Sequence, residues 1–218
     1  MLIMTKAILA GIVIALGGFI FLSVESQILG SFLFAIGLLS VLIFDYALYT
    51  GKVCYTNFYK VPFYLSYVLV GNVVGAWLIG WITVDQNLVN RAIKISDVKL
   101  SRSLGEVFIR AVMCGLFIAI GVRGFKHSGN AAIPIMAVMA FILTGSEHVV
   151  ANAYYFSVAS MLKESLIFLI VNAIGNMVGG LILSESLPKP EPAQEQKVQA
   201  PKIDFEERSV EMTSEVIE

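Results

Sequence analysis

Charged side chains are scarce in this sequence, because Asp, Glu, Lys and Arg make up only 14% of its 218 residues. A soluble domain of this size carries about 25% charged residues. The shortage is greater still before position 185, since nine acidic and four basic side chains lie within residues 185–218. With 57% hydrophobic residues, the composition excludes an ordinary soluble domain and favours an integral membrane protein.

Cysteine and histidine are also rare, with two of each. Cys54 and Cys114 show none of the spacings typical of a disulfide framework, a redox motif or a zinc site. The sequence contains no recognisable nucleic-acid-binding module either. We therefore expect no metal, no cofactor and no nucleic-acid partner.

Six apolar stretches are long enough to cross the hydrocarbon core of a bilayer, which needs roughly 20 residues per helix. They lie at about 4–24, 27–49, 62–84, 102–124, 131–161 and 163–184. The fifth is too long and too interrupted to form one straight helix. We expect an all-α membrane domain over residues 1–184, with a polar connector at 85–101. Residues 185–218 form a polar, acidic tail whose composition is typical of disordered chain.

The apolar part of the sequence contains an internal repeat. The segment Gly71–Gly75 (Gly-Asn-Val-Val-Gly) returns 104 positions later as Gly175–Gly179 (Gly-Asn-Met-Val-Gly). The same offset pairs residues of the first and fourth spans, namely Lys6 with Arg110 and Gly11 with Gly115. Because each copy holds three spans, an odd number, the second copy enters the membrane from the opposite face. The sequence thus predicts six transmembrane helices in two inverted three-helix repeats, which usually enclose a solute path near the bilayer midplane.

Spans two and five are interrupted by polar residues at matching places in the two repeats. Asp45 and the Thr50-Gly51-Lys52 run interrupt span two, and Glu147-His148 interrupts span five. Such interruptions are tolerated where the backbone lines a cavity, and in matching positions they indicate a transport site. The N-termini of the resulting half-helices expose N–H groups that favour anions.

Glu147 and His148 are the most informative polar pair in the apolar part of the chain. His148 can donate a hydrogen bond to a permeating anion or lend it a proton near neutral pH. A buried histidine satisfied by Glu147 or by a backbone carbonyl gives the same pattern. We expect Glu147 to cap free N–H groups at the interruption, because a bare carboxylate repels anions.

Other candidate residues each have a plainer interpretation beside the functional one. Lys99, just before span four, either attracts anions into a cleft or reaches lipid head groups from the membrane interface. Phe34, Leu38 and Phe141 are either gate residues or lipid-facing bulk. The asparagine of each Gly-Asn-x-x-Gly motif either contacts a solute or forms hydrogen bonds between helices.

Three motifs carry a resemblance to a known family: Leu48–Gly51 (Leu-Tyr-Thr-Gly), Gly145–Asn152 (Gly-Ser-Glu-His-Val-Val-Ala-Asn) and Gly175–Gly180. On these motifs, residues 5–184 resemble the formate/nitrite transporter family, which includes formate, nitrite and hydrosulfide channels. The Glu-His-x-x-Ala-Asn run at a helix break is the most specific of the three. The resemblance implies an aquaporin-like shape and homopentamers in which each protomer has its own pore.

The resemblance also implies roles for individual residues. The family's central pore histidine corresponds to His148, its loop threonine to Thr50, its supporting asparagine to Asn176 and its vestibule lysine to Lys99. Its apolar constriction and gate correspond to Phe34, Leu38, Leu48, Tyr49 and Phe141. Where many members have Phe in the loop, this chain has Tyr49. Where many have Asn in span four, it has Gly115, and we expect this missing side chain to widen or dry the second constriction.

We predict a channel or transporter for small monovalent anions of weak acids, with or without proton coupling. Formate is the first choice, followed by nitrite or hydrosulfide. A neutral-solute pore for water or glycerol is the alternative, but the paired Asn-Pro-Ala motif of aquaporins is absent. An intramembrane enzyme is a third possibility, although neither a second histidine nor a nucleophile–base pair accompanies Glu147 and His148.

The predicted location is the inner (plasma) membrane, with the chain crossing the bilayer several times. An even number of spans places both termini on the same side. The positive charges flanking the spans are nearly balanced between the two faces, so they decide little. The acidic tail is more naturally left in the cytoplasm than exported, and we expect both termini there.

Overall fold

The computed structural model describes residues 2–55 and 62–186, and within them the chain is helical without strands. In these two ranges nine helices follow one another: α1 (Ile3–Ser23), α2 (Gln27–Ile43), α3 (Tyr49–Val53), α4 (Pro62–Ile82), α5 (Gln86–Leu100), α6 (Leu104–Ser128), α7 (Ala132–Leu143), α8 (Val149–Val158) and α9 (Leu166–Ser186). The predicted disorder of the tail concerns residues that lie mostly outside the described ranges, and it stays a prediction.

Four of the described helices are long and apolar enough to cross a membrane, namely α1, α4, α6 and α9. Three shorter helices, α2, α7 and α8, are also apolar. Many large hydrophobic side chains on these helices are exposed, among them Phe32, Trp81 and Ile109. The chain is therefore an all-helical, multi-pass membrane protein.

Most of the predicted polar connector at 85–101 forms a helix, α5, which was not predicted from the sequence. It begins after Asp85, whose carboxylate accepts hydrogen bonds from two N–H groups of the first turn. One narrow stripe of α5 is buried, consisting of Leu88, Ala92 and Ser96. The spacing of four residues is that of one helix face. Because the rest of the helix is polar, its sequence does not resemble a membrane span. The capping residue Asp85 is the local feature of the sequence that indicates the start of a helix here.

The chain between α2 and α3 has nearly the same backbone path as the chain between α7 and α8, 100 positions later. Asp45 and Gly145 both adopt a left-handed conformation, with φ of 49° and 66°. The residue after each one donates its N–H to a carbonyl in the last turn of the preceding helix, at 3.0 and 2.9 Å. Glycine adopts this conformation freely, whereas in aspartate it costs about 1–2 kcal/mol. The Asp45 carboxylate has ion-pair partners in Lys6, at 2.7 Å, and Lys52, at 3.5 Å.

Two asparagines bind these non-helical segments to the long helices. The Asn72 amide nitrogen donates to the carbonyls of Ala7 and Ala47, both at 2.8 Å, and its oxygen accepts from the Tyr49 N–H at 2.7 Å. Asn176 makes the same three bonds, with Ala111, Glu147 and Val149. Each asparagine thus satisfies one backbone carbonyl in the interruption and one free N–H at the start of the short helix.

Gly11 and Gly115 let the long helices approach closely beside these asparagines. A Cβ atom at Gly11 would lie 2.0 Å from the Asn72 carbonyl oxygen, and one at Gly115 would lie 2.4 Å from that of Asn176. Neither position has room for any side chain. The prediction that the missing side chain of Gly115 widens a constriction is therefore corrected: this glycine is a contact between α6 and α9.

We predict that Gly115→Ala lowers the melting temperature of the detergent-solubilised protein. A methyl group here must push α6 from α9, an overpacking that costs typically 1–3 kcal/mol. Gly105→Ala is the matched control, because nothing lies within 4 Å of a Cβ atom at that position of the same helix. It should be neutral or slightly stabilising. Equal melting temperatures for the two variants, measured by tryptophan fluorescence, would contradict the close contact.

Candidate pore site

A cavity of about 170 Å³ lies among α2, α5, α7 and α8. Its polar lining includes Lys99, Ser146, His148 and Asn152, and its apolar lining includes Phe34 and Phe141. A water molecule occupies about 30 Å³ in the liquid, so this space holds a small hydrated ion or a few waters. The cavity therefore brings together the segment between α7 and α8, its histidine and a lysine that the sequence indicated separately.

His148 lies at the N-terminus of α8 and is almost fully buried. Its Nδ1 accepts a hydrogen bond from the Ala151 N–H at 3.2 Å, and its Nε2 is 3.1 Å from the Thr50 hydroxyl oxygen. A backbone N–H can only donate, so Nδ1 carries no hydrogen and Nε2 carries it. The ring is thus the neutral imidazole, donating from Nε2 to Thr50. The sequence left open a buried histidine that is hydrogen-bonded to Glu147 or to a backbone carbonyl. The structure shows neither of these bonds in the described part of the chain.

The imidazole is also fixed by aromatic neighbours. The Phe141 ring stacks on it with centroids 5.7 Å apart, and Phe34 meets Phe141 edge-on at 5.9 Å. These contacts surround His148 with apolar surface and hold its ring in one orientation. A donor that is already oriented loses little entropy when it binds a ligand.

Glu147 is completely buried, and its carboxylate faces cations. Lys99 Nζ lies 2.5 Å from one oxygen, the Arg102 guanidinium bonds the other, and the Asn152 amide donates at 2.7 Å. The prediction that Glu147 caps N–H groups is wrong. The imidazole of His148 caps α8 instead, and a carboxylate inside an apolar protein is stable only with such charged partners.

Lys99, Arg102 and Glu147 together carry a net charge of +1. Lys99 has 13% of its side chain exposed and lines the cavity, which does not fit a lysine extended toward lipid head groups. Arg102, Asn152 and Asn172 also belong to this site, although none of them was predicted from the sequence. Arg102 could have been found from its position three residues after Lys99, where α5 ends.

Asn172 and Asn176 support the site from α9. Both side-chain amides donate to the main-chain carbonyl of Glu147, at 2.6 and 2.7 Å. The Asn172 oxygen also accepts from Asn152, at 2.7 Å. Asn176 was predicted to act at the pore, but its hydrogen-bonding atoms are committed to the backbone. Its place is behind the cavity lining.

A second, smaller recess of about 30 Å³ is lined by Leu48, Val41 and Val122 together with Asp45, Lys52 and Lys126. Phe34, which lines the larger cavity, and Val41, which lines this recess, are seven residues apart on α2. They are therefore about 10 Å apart along the helix axis. Leu38 lies between them and is buried. The predicted apolar constriction residues Phe34, Leu38, Phe141 and Leu48 are thus found at or between the two spaces.

Tyr49 does not line either of these two spaces. Its hydroxyl donates to the Ala173 carbonyl of α9 at 3.0 Å, and its side chain is buried. In this conformation the residue anchors α3 to α9. The predicted gating movement of Tyr49 requires that bond to break and stays a prediction.

The family model described as "Formate/nitrite transporter" matches residues 1–188. The chain belongs to the formate/nitrite transporter family. "Formate-nitrite transporter 2" of Toxoplasma gondii is 32% identical over 96 residues, which are 39% of this chain and 21% of that protein. "Uncharacterized transporter YrhG" of Bacillus subtilis is 25% identical over 182 residues, covering 72% of this chain and 68% of that protein. The matched segment thus spans about a fifth of the first relative and about two thirds of the second.

Solved structures of the formate/nitrite transporter family share the fold. "Pentameric formate channel with formate bound" superposes with a TM-score of 0.73 at 21% identity, covering 84% of this chain and 94% of that one. "FNT family ion channel" gives a TM-score of 0.72 at 18% identity, covering 85% and 90%. The family model describes a transporter and both structural neighbours are described as channels, none of them as an enzyme.

We predict that Glu147→Ala strongly destabilises the protein, because it leaves the half-buried cations Lys99 and Arg102 without the buried carboxylate that they share. Breaking a buried ion pair in this way costs about 3–5 kcal/mol. Glu106→Ala is the control: its carboxylate pairs with Arg102 and Arg110 but is 43% exposed, and such pairs contribute about 0–1 kcal/mol. Thermal unfolding in detergent measures both variants. A Glu147 variant as stable as the Glu106 variant would refute the proposed burial of charge.

Proposed function

We propose that the protein conducts small monovalent anions of weak acids across the membrane, with formate as the first substrate and nitrite or hydrosulfide as alternatives. The observation that carries the proposal is the His148–Thr50 hydrogen bond. It joins the beginnings of α3 and α8 in apolar surroundings. The cavity beside it is lined by the cationic side chain of Lys99. Both groups can exchange this bond for bonds to a solute.

The architecture that we propose is six membrane spans in two inverted three-helix repeats, aquaporin-like in shape, with spans two and five broken. The duplicated bonds of Asn72 and Asn176 and the matching backbone at Asp45 and Gly145 support it. Three spans per repeat make the second copy enter from the opposite face. The two short helices then start at the same depth, from opposite sides.

The first step is attraction of the anion into the larger cavity. The cluster of Lys99, Arg102 and Glu147 has a net positive charge, and a cleft of one sign raises the local concentration of counter-ions by tenfold or more. The N-terminus of α8 adds a partial positive charge of roughly half an elementary charge. Because Glu147 is already neutralised by its partners, it does not repel the anion.

The second step is passage through the apolar region formed by Phe34, Leu38, Phe141 and Leu48. Removing the hydration of a bare anion here has a large free-energy cost. The anion therefore takes up a proton from water in the cavity, and the neutral acid that forms is dehydrated at a much lower cost. The His148 Nε2–H can donate to the carbonyl oxygen of a formic acid molecule, and the Thr50 oxygen can accept from its O–H. The acid thereby replaces the bond that the two residues make to each other, and a proton crosses with the anion.

We further propose a homopentamer with one pore per protomer, located in the inner (plasma) membrane with both termini in the cytoplasm. One of the solved structures that share this fold is a pentameric formate channel. The exposed apolar side chains of this chain need lipid or further copies to cover them.

The matched pair Thr50→Val and Thr50→Ser tests the role of the hydroxyl. Uptake of labelled formate into proteoliposomes should fall about tenfold in the valine variant, since one hydrogen bond in a dry site contributes about 1–1.5 kcal/mol. The serine variant keeps the hydroxyl and should remain near the wild-type rate. Valine and serine variants of equal activity would show that Thr50 contacts no solute.

His148→Asn provides an independent test at the other partner. Asparagine retains a donor but is shorter, so we expect formate flux to fall and its dependence on pH between 5 and 8 to change. A monodisperse oligomer on size exclusion is the control for folding. A formate flux that equals that of the wild type at every pH would show that His148 does not contact the solute.

A further inference from the structure

Tyr155 of α8 lies on the same face of the helix as His148 and Asn152. The three positions are separated by four and three residues, which is the spacing of one helix stripe. All three line the larger cavity, with Lys99 from α5 on another wall. Tyr155 is seven residues from His148, so its Cα is about 10 Å further along the axis.

The Tyr155 hydroxyl has no hydrogen-bond partner among residues 2–55 and 62–186. The side chain is only 6% exposed, yet its oxygen is not among the described polar atoms that are both unbonded and shut off from solvent, which are Trp77 Nε1 and Ser96 Oγ. The Tyr155 side chain lines the cavity. Its hydroxyl is therefore an unused donor on a residue of the cavity wall.

Three other polar side chains in the cavity wall already have protein partners. Lys99 bonds Glu147, the Asn152 amide bonds Glu147 and Asn172, and His148 bonds Thr50. A phenol without a protein partner keeps its donor available for an oxygen of a solute in the cavity.

The ring of Tyr155 is held in place by two aromatic neighbours. Its centroid lies 5.6 Å from that of Tyr154 and 6.4 Å from that of Phe21. A donor whose ring cannot rotate away is already oriented for binding. Little conformational entropy is lost when it meets a ligand.

We propose that the Tyr155 hydroxyl is a hydrogen-bond donor to an oxyanion held in this cavity, beside the positive cluster of Lys99, Arg102 and Glu147. The site precedes the His148–Thr50 pair and selects anions with oxygen acceptors, such as carboxylates and nitrite, over hydrosulfide. Sulfur is a weak hydrogen-bond acceptor, so hydrosulfide gains little from a phenol. This inference rests on the proposed function and narrows its substrate class.

The test is Tyr155→Phe, which removes one oxygen and keeps the ring. Tyr154→Phe is the matched control, because the Tyr154 hydroxyl bonds Thr83 at 3.3 Å and does not line the cavity. The concentration dependence of formate, nitrite and hydrosulfide uptake is measured in proteoliposomes containing the full chain. In Tyr155→Phe the half-saturating concentrations of formate and nitrite should rise about five- to tenfold, the loss of one hydrogen bond. Hydrosulfide uptake and the control variant should be unchanged.

Two results would overturn the inference. Either Tyr155→Phe matches Tyr154→Phe for formate and nitrite, in which case Tyr155 is packing, or it weakens hydrosulfide as much as the oxyanions. A wild-type protein that moves none of the three solutes overturns the proposed function instead. In that case the binding role of Tyr155 is tested separately, by comparing the melting temperature of the protein in sodium formate with that in sodium chloride. Stabilisation by formate that Tyr155→Phe loses supports the site, and its absence in the wild type rejects it.

Discussion

Every backbone polar group at membrane depth needs a partner within the protein, and the rest of this structure depends on that constraint. Where the helices stop, carbonyls and N–H groups become free, and lipid cannot satisfy them. Asn72 and Asn176 supply the missing partners in the two halves, each with an amide whose donors and acceptor are all used. The interruptions persist because these asparagines bind them to the long helices. Gly11 and Gly115 let those helices approach closely enough for the bonds to form.

The duplicated framework carries different chemistry in its two halves. Leu48 and His148 occupy the same position, immediately before a short helix, and one is apolar while the other is a hydrogen-bond donor. Thr50 comes from the half that lacks the histidine and is bonded to it. The candidate pore therefore takes Thr50 from one half and His148 from the other. Two identical helix ends would not provide this pair of different side chains. Glu147 exists in only one half, and its two cations give that side its positive charge.

Some of this could be predicted from the sequence. The 104-residue repeat, the interruptions and the Glu147-His148 pair are local patterns, and the structure places His148, Thr50 and Lys99 around one region. The full set of partners of Glu147 could not be predicted, because Asn172 on α9 reaches its main-chain carbonyl only through tertiary packing. Helix α5 was missed because hydropathy identifies membrane spans and overlooks a polar helix with a narrow apolar stripe. The close contact at Gly115 could not be predicted either. A glycine in a sequence does not show whether the space beside it is empty or is filled by a neighbouring helix.

Passage of a neutral acid past His148 is the central claim, and the driving force for transport tests it most directly. Formate influx into proteoliposomes is measured under an imposed pH gradient and, separately, under an imposed membrane potential. If the anion crosses with a proton, an inward proton gradient accelerates influx and the potential has little effect, since the transported pair is neutral. Influx that follows the potential and ignores the pH gradient would show that the bare anion crosses and would contradict the account.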